Sequence, residues 1–538
     1  MNYTSHQVYK IMTNSAVIQC CRRKSHVLRY LFIILAVWIL IVLITTLITK
    51  NQHWKLYLDK AKPGKLINEN IFDKWYLSNR RNLLEDENEF AGNAKFMNIP
   101  LHPTNLSKVI AVPQDITQYY AKVNEETIQK VFGILESFRL VKNPNVPDEL
   151  NCQDILKGDQ SAVVRGKLAN LELGSKKFED KKKKLIPRLE DIVVEAKNCG
   201  KFKQNRQYIT ISLSSEEKAY SIAYIITIHR DLPSFERLLR SIYHPQNIYC
   251  VHVDAKSDQS FKDGAKVLTD CFDNVFLASK PIDVRYTHWS RLQADLNCME
   301  DLAKRSMEYP WRYVINLCGQ DFPIKTNLEI VRALKSLQGL NSLETFVTPP
   351  HKKKRYELHF DLPSNPKNDH SVMKKTDIKK SPPPHKFEMF AGSAYYIFKR
   401  AAVEFILTDR TVQEFFKWNE DTYSPDEHVW ASLQRHFPQF PGSFPPHEKY
   451  DLNELQTITR IIKWGGLDKK VYPKCEGRFV RGICVFGCGD LAWLITQKHL
   501  FANKFEPDVD ILAIHCLENW VRNRTIDHSK IYFARGFL

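Results

Sequence analysis

The 538-residue chain carries none of the short signatures of the commonest nucleotide, hydrolase and metal chemistries. There is no P-loop, which excludes the phosphate cradle of the Walker-type NTPases. There is no G-x-S-x-G elbow and no H-E-x-x-H pair, which removes the α/β-hydrolase and zinc-metalloprotease readings. No G-x-G-x-x-G follows a strand-like run, so the dinucleotide fingerprint is missing. No C-x-x-C pair has zinc spacing, and no internal repeat marks a solenoid. The only D-x-D is Asp508-Val-Asp510, which falls after the last clear strand pattern. A divalent ion held against a diphosphate asks for such a pair at a strand end. If a diphosphate binds this chain, side-chain cations have to supply the charge; Arg481 and Lys504 are candidates, although each also reads as an ordinary surface cation.

What is present points to a folded, anchored protein. Hydrophobic residues make up 43% of the chain, too many for a disordered one. Lys and Arg number 78 against 61 Asp and Glu, a formal charge of +17, which favours an anionic partner. Leu31–Ile48 is an uncharged run of 18 residues, extended by Val27, Leu28 and Tyr30 and long enough to span a bilayer. No small-residue cleavage site follows it. Lys10, Arg22, Arg23, Lys24 and Arg29 precede it, so the positive-inside rule keeps the N-terminus cytosolic. The expected layout is a cytosolic tail over 1–26, a transmembrane signal-anchor helix over 27–49, a lumenal stem over 50–150, a catalytic-type domain over 151–520 and a tail over 521–538. A lumenal domain meets little nucleic acid, so nucleic acid is not an expected partner. The stem is polar and lacks a sustained apolar period. Asn105-Leu-Ser and Asn523-Arg-Thr are N-glycosylation sequons on the lumenal side.

From Ser221 the pattern becomes regular. Ile222–Ile228, Ile248–Asp254, Val275–Ala278, Tyr313–Leu317 and Ala394–Phe398 read as strands. Leu292–Met307, Leu328–Leu337 and Ala401–Thr408 read as helices. The alternation predicts an α/β domain with a largely parallel sheet. Ligands of such folds bind beyond the carboxyl ends of the strands, where His229, Asp254 and the Cys318–Asp321 turn would sit. Lys181–Lys184 reads as a solvated charge run, whereas Lys352–Lys354, in a Pro-flanked loop, suits either a solvated face or a site wall. Ten of twelve cysteines follow the apolar run, in a compartment where disulfides persist. Of their pairings, spacing alone favours only the local Cys475–Cys484.

Ser424-Pro-Asp-Glu427 is the sharpest local feature. One reading is a capping box, with Ser424 at the N-cap and Glu427 reaching back to it. The other is an ionised carboxylate at a helix tip, suited to general-base work. Phe415, Phe416, Trp418, Tyr423 and Trp430 lie nearby; aromatic faces suit sugar rings and cores equally.

Several long segments resemble the core 2/I-branching β-1,6-N-acetylglucosaminyltransferase family. They are Tyr286–Cys298 (YTHWSRLQADLNC), Val314–Pro323 (VINLCGQDFP), Gly392–Tyr395, Asp421–His428 (DTYSPDEH) and Leu500–Phe505. The likeness runs over roughly Cys152 to Glu518. It implies a metal-independent, GT-A-like α/β domain in a Golgi membrane enzyme of type II topology. The implied reaction is inverting transfer of N-acetylglucosamine from UDP-N-acetylglucosamine to the C6 hydroxyl of a Gal or GalNAc residue, forming a β-1,6 branch. Carried over residue by residue, the resemblance makes Glu427 the base and gives diphosphate neutralisation to Arg481 and Lys504. It puts donor contacts on Thr227, Ile228, His229, Asp254 and Tyr286. Acceptor contacts fall on Glu344, Lys352, Arg355, Lys449 and Trp464. It also implies the bridges Cys152–Cys516, Cys199–Cys271, Cys250–Cys298 and Cys475–Cys484, with Cys318 free; Cys488 falls outside the family pattern.

Two departures touch the acceptor side. Gly465-Gly466 stand where core 2 type members carry an aromatic-rich loop, and the Lys352–Arg355 loop lacks the usual Trp. They keep open a catalytically silent, lectin-like or regulatory Golgi glycan-binding protein. The lysine runs keep open a membrane-tethered polyanion binder.

Overall fold

The structure is a computed structural model that describes residues 127–174, 185–363, 373–436, 438–443 and 457–537. The expected tail over 1–26, the span over 27–49, Asn105, Lys181–Lys184 and Lys449 lie outside them. Among the described residues no helix is long and apolar enough to cross a membrane.

Ile222–Ile228 (β1) is built mainly of Ile, Ala and Tyr, buried along almost its whole length. A strand buried on both faces reads as a continuous apolar run, because helices cover each side. Its period of two still sorts the faces. Tyr224, Ile226 and Ile228 enter one core cluster, while Ala223 and Ile225 enter the other. Each fully buried aliphatic side chain contributes about 1.5–3 kcal/mol. Asp231 then caps the helix Leu232–Ile242, accepting from the Ser234 amide at 3.2 Å, with Pro233 in the first turn. Phe235, Leu238, Leu239 and Ile242 turn to the sheet at helical spacing.

The next strands are Ile248–Val253 (β2), Val275–Leu277 (β3), Tyr313–Cys318 (β4), Asp321–Pro323 (β5), Ser342–Val347 (β6), Leu358–Asp361 (β7), Lys374–Lys379 (β8) and Phe390–Lys399 (β9). The main sheet has six strands in the order β3-β2-β1-β4-β9-β6. β3, β2, β1 and β4 are parallel, as the alternation predicts, whereas β9 and β6 join antiparallel. The register opposes Thr227 to His252 on one side and to Cys318 on the other, so the ends of β1, β2 and β4 share one edge.

A second sheet is built from Arg460–Ile462 (β10), Phe501–Asn503 (β13) and β5, in the order β10-β13-β5. Arg478–Val480 (β11) and Ile483–Val485 (β12) form a hairpin, as do β7 and β8. The second sheet shares a core with the helices Gln160–Leu173 and Pro507–Phe537. All four implied disulfides are formed, with Cα–Cα separations of 5.0 to 5.9 Å. Among the described residues Cys318 and Cys488 are the free cysteines. Cys488 is buried against Asp510, whose carboxylate accepts from the Cys488 and Ala513 amides.

The expected boundaries shift at both ends. Residues 127–137, assigned to the stem, are helical, and Leu135 and Phe138 pack with Ile209, Leu213 and Ile526. The segment from 521, assigned to a tail, continues the Pro507–Phe537 helix and buries Val521 and Arg522. Asn523 lies on that helix, accepting from Arg139 Nη1 at 2.9 Å, and its sequon partner Thr525 is buried.

Candidate active site

Glu427 ends a one-turn 3₁₀ segment, Pro425–Glu427, ahead of the helix Val429–Gln434. The capping box is not formed. Ser424 is left-handed at φ 48°, its side chain caps nothing, and the Glu427 side chain points elsewhere. It accepts from Arg355 Nη1 at 2.5 Å and from Lys352 Nζ at 3.4 Å. Both cations come from the helix Pro350–Glu357, so the lysine run reaches the site. The Arg355 guanidinium also lies 5.4 Å from the Tyr423 ring centroid. Glu344, on β6, feels the Lys352 and Glu427 charges; desolvation pushes its carboxyl up, although its residue still reaches solvent. Glu344, Lys352, Arg355 and Glu427 are thus brought to one place.

The turn that carries Glu427 is fixed from below. Asp426 is buried and paired with Arg291 Nη1 at 2.8 Å. Burial raises the Asp426 carboxyl, while Arg291 opposes that shift. Next to the pair, Asp295 is pushed up to about 7 by burial and accepts from Tyr396 Oη at 3.0 Å and Asn316 Nδ2 at 3.2 Å. Burial drives the His428 imidazole down to about 3, so it stays neutral against Asn419 and Thr422. The Ser424 amide donates to the Thr287 carbonyl at 2.8 Å, and Thr287 is itself left-handed at φ 63°. Two non-glycine residues in this region, one of them β-branched, cost on the order of 1–3 kcal/mol each. They join the turn that carries Glu427 to Tyr286, which is exposed.

At the edge of the parallel strands, Thr227 and Ile228 end β1 and His229 follows, exposed. Asp254 is buried beyond β2, accepting from the Lys256 amide at 3.0 Å and Lys256 Nζ at 2.7 Å. Lys256 also pairs with Asp283 at 3.4 Å, near Tyr286 in the chain. Lys504 follows β13, and the Phe505 amide donates to Gln320 O at 2.9 Å. Burial lowers the Lys504 ammonium; Glu506 opposes that, while Arg481 and Arg230 add to it. Arg481 sits in the β11–β12 turn at φ 53°. Glu506 lies 3.9 Å from both Lys504 Nζ and Arg230 Nη2. Two cations, Lys504 and Arg230, therefore flank one acid at the strand edge, and Arg481 lies close enough to act on Lys504. Trp464, half exposed, bridges Ile483 beside the same hairpin. No described contact joins Trp464 to the Glu427 group.

Sequence reasoning missed Arg230, Glu506 and the Arg291–Asp426 pair. Arg291 and Asp295 lie inside the quoted Tyr286–Cys298 segment, and Arg230 directly follows His229; that placement was the available signal. Among the described residues one group has metal-ligand spacing, Cys475, Cys484 and Asp490. Its sulfurs form a disulfide and Asp490 pairs with Lys463 at 2.7 Å, so these residues do not fit an ion.

The Core-2/I-Branching enzyme model matches residues 222–495. The chain is 46% identical over 383 residues to "Beta-1,3-galactosyl-O-glycosyl-glycoprotein beta-1,6-N-acetylglucosaminyltransferase 3" of Homo sapiens, covering 70% of this chain and 84% of that one. Its Mus musculus counterpart is 42% identical over 394 residues, covering 72% and 86%. A Bovine herpesvirus 4 protein named as the same transferase, without the numeral, is 44% identical over 383 residues, covering 70% and 83%. On these matches the chain belongs to the Core-2/I-branching enzyme family.

Proposed function

We propose that this chain is a glycosyltransferase that moves N-acetylglucosamine from UDP-N-acetylglucosamine to the C6 hydroxyl of a Gal or GalNAc residue on an O-linked glycan, inverting the anomeric centre. The observation that supports the reading is the Glu427 carboxylate, held by Arg355 and Lys352 on a turn whose Ser424 amide is tied to Thr287, next to Tyr286. In a single displacement the acceptor O6 forms its bond to the anomeric carbon as the bond from that carbon to the phosphate oxygen breaks. The O6 proton passes to Glu427. The electron pair leaves with UDP, and Lys504, Arg481 and Arg230 balance its charge. Thr227, Ile228, His229, Asp254 and Tyr286 would line the donor side. Glu344, Lys352 and Arg355 would hold the acceptor, with Trp464 at its flank.

This reading assigns no step to a metal and gives the charge of the leaving diphosphate to Lys504, Arg481 and Arg230. Transfer is expected to persist in EDTA; strict dependence on Mn²⁺ would contradict this account. Four disulfides suit an oxidising lumen, which supports a Golgi, type II placement with the apolar run 27–49 as anchor. The defining experiment incubates the soluble lumenal domain with UDP-N-acetylglucosamine and a panel of O-glycan and poly-N-acetyllactosamine acceptors. Glu427→Gln should lower turnover by at least about 10³-fold, as loss of a base does, while UDP binding by calorimetry is retained. Full turnover by that variant removes Glu427 from its role.

A further inference from the structure

Lys463 and Lys504 directly follow Ile462 and Asn503, the paired last residues of β10 and β13. Lys504 reaches Glu506 at the strand edge, whereas Lys463 turns inward and has no exposed surface. The Lys463 ammonium lies 2.7 Å from Asp490 Oδ1, donates to the Lys474 carbonyl at 3.1 Å and sits 4.6 Å from the Trp493 ring centroid. Asp490 is buried as well. It also accepts from the amides of Glu476 at 3.1 Å, Gly477 at 3.2 Å and Gly487 at 3.0 Å. Burying both charges costs desolvation that an apolar pair of similar volume avoids, so packing alone does not account for a lysine and an aspartate here.

The three amides belong to the two chain segments at the foot of the β11–β12 hairpin. Glu476 and Gly477 lead into β11, and Gly487 follows β12. A Cβ on Gly477 would collide with the Val485 carbonyl, so the two segments lie backbone against backbone. The Cys475–Cys484 bridge joins these segments to each other. Lys463 and Asp490 join them to the second sheet. The Cys484 amide donates to the Lys463 carbonyl at 3.0 Å, and the Gly465 amide donates to the Gly482 carbonyl at 2.8 Å. On the Lys504 side, the Phe486 amide donates to the Lys504 carbonyl at 3.0 Å. The hairpin turn carries Arg481, a like charge that acts on Lys504. Like charges move apart unless the backbone that carries them is held. A hairpin free to swing would take Arg481 away from Lys504 until an anion drew them together.

We propose that Lys463 and Asp490 are positioning residues for the donor: their buried pair fixes the β11–β12 hairpin so that Arg481 is set beside Lys504 before the nucleotide sugar arrives. Neither touches substrate; both act through Arg481. This rests on the reading that gives the charge of the leaving diphosphate to Arg481 and Lys504. It adds that the grip is built in advance, so binding does not have to order it.

The test uses the full chain and the variants K463M/D490N, R481A and K463M/D490N/R481A. Affinities for UDP and for uridine are measured by calorimetry, beside the donor and acceptor KM and the thermal midpoint. K463M/D490N replaces the pair with groups of similar size that carry no charge, so its midpoint should stay near that of the wild type. Its UDP affinity should weaken about tenfold, the worth of one charge-assisted contact, and the donor KM should rise in step. Uridine affinity and the acceptor KM should not move. R481A should weaken UDP at least as much, and the triple variant should bind UDP no more weakly than R481A, because the pair has nothing left to position. Wild-type UDP affinity in K463M/D490N, or losses that simply add in the triple variant, overturns the proposal. Wild-type UDP affinity in R481A sinks the diphosphate reading and this inference with it. A measurement on the unaltered chain does not depend on any variant folding. Without nucleotide, the amides of Glu476, Gly477 and Gly487 should resist hydrogen exchange as well as those of β1 do. Fast exchange there would mean that the hairpin is ordered only on binding, and the proposal would fall.

Discussion

Asp295 shows how one side chain beneath the site ties stability to pH. Burial holds its carboxyl at about 7 in the folded chain, against an ordinary value of 3.8. Between those values the folded state keeps a proton that the unfolded state releases. The contribution is therefore full below about pH 3.8, declines through the window, and is lost above about 7. Asp295→Asn removes the titration while keeping an oxygen for Tyr396 and Asn316. The stability of the variant relative to wild type should thus rise with pH across this window, by on the order of 4 kcal/mol in total. Denaturant midpoints at pH 4.5, 6 and 7.5 read this directly; a difference constant with pH would show that Asp295 is ionised in the folded chain. The adjacent pair acts differently. Arg291 and Asp426 neutralise each other in a buried place, and they hold the turn whose next residue is Glu427. Neither touches substrate in this account, so both are positioning residues.

At the scale of elements, β9 and β6 approach each other closely at Gly392. A Cβ on Gly392 would fall 2.1 Å from the Glu344 carbonyl and 2.9 Å from Ala431 Cβ. The ladder shifts register between Leu343 and Thr345, so Glu344 stands at an irregularity that only a glycine opposite allows. Gly392→Ala should destabilise by about 1–3 kcal/mol and, if Glu344 holds the acceptor as proposed, raise the acceptor KM more than the donor KM. A thermal midpoint and both KM values check this; an unchanged midpoint would mean that β9 yields freely. The parallel half of the sheet was legible in the sequence because its strands are short apolar runs, and a buried run needs no partner to be recognised. β6, β7 and β8 were not. Ser342–Val347 carries Glu344 and Thr345, and β8 is mostly lysine, so neither shows a buried period. The site was legible in part for a related reason. Motif residues such as Glu427 and Lys504 stand in quoted segments, whereas Arg230 and Glu506 gain their meaning only when β1 and β13 converge. The Ser-Pro-Asp-Glu pattern misled because the left-handed Ser424 takes its side chain out of capping range, a tertiary demand set by Thr287.

For the molecule as a whole, the two ends of the folded part are joined covalently. Cys152–Cys516 closes 364 residues and binds the short helix Cys152–Lys157 to the helix Pro507–Phe537. That helix follows directly on Lys504 and Glu506, so the closure also supports the cationic corner assigned to the leaving diphosphate. The chain-entropy account makes long closures the more stabilising: a loop of this size ranks above the nine-residue separation of Cys475–Cys484 by on the order of 3 kcal/mol, an upper bound because other bridges subdivide it. Cys152→Ser with Cys516→Ser should therefore cost more stability than Cys475→Ser with Cys484→Ser, about 2–5 kcal/mol. It should also speed amide exchange in the helix Gln160–Leu173, which packs on the C-terminal helix, before it affects β1 or β2. The donor KM should rise while the acceptor KM stays in place, because the turn that carries Glu427 hangs from Arg291 on the other side of the sheet. Were exchange to quicken evenly through the parallel strands instead, the two ends would belong to a single cooperative unit, and Lys504 would owe its position to the sheet rather than to the bridge.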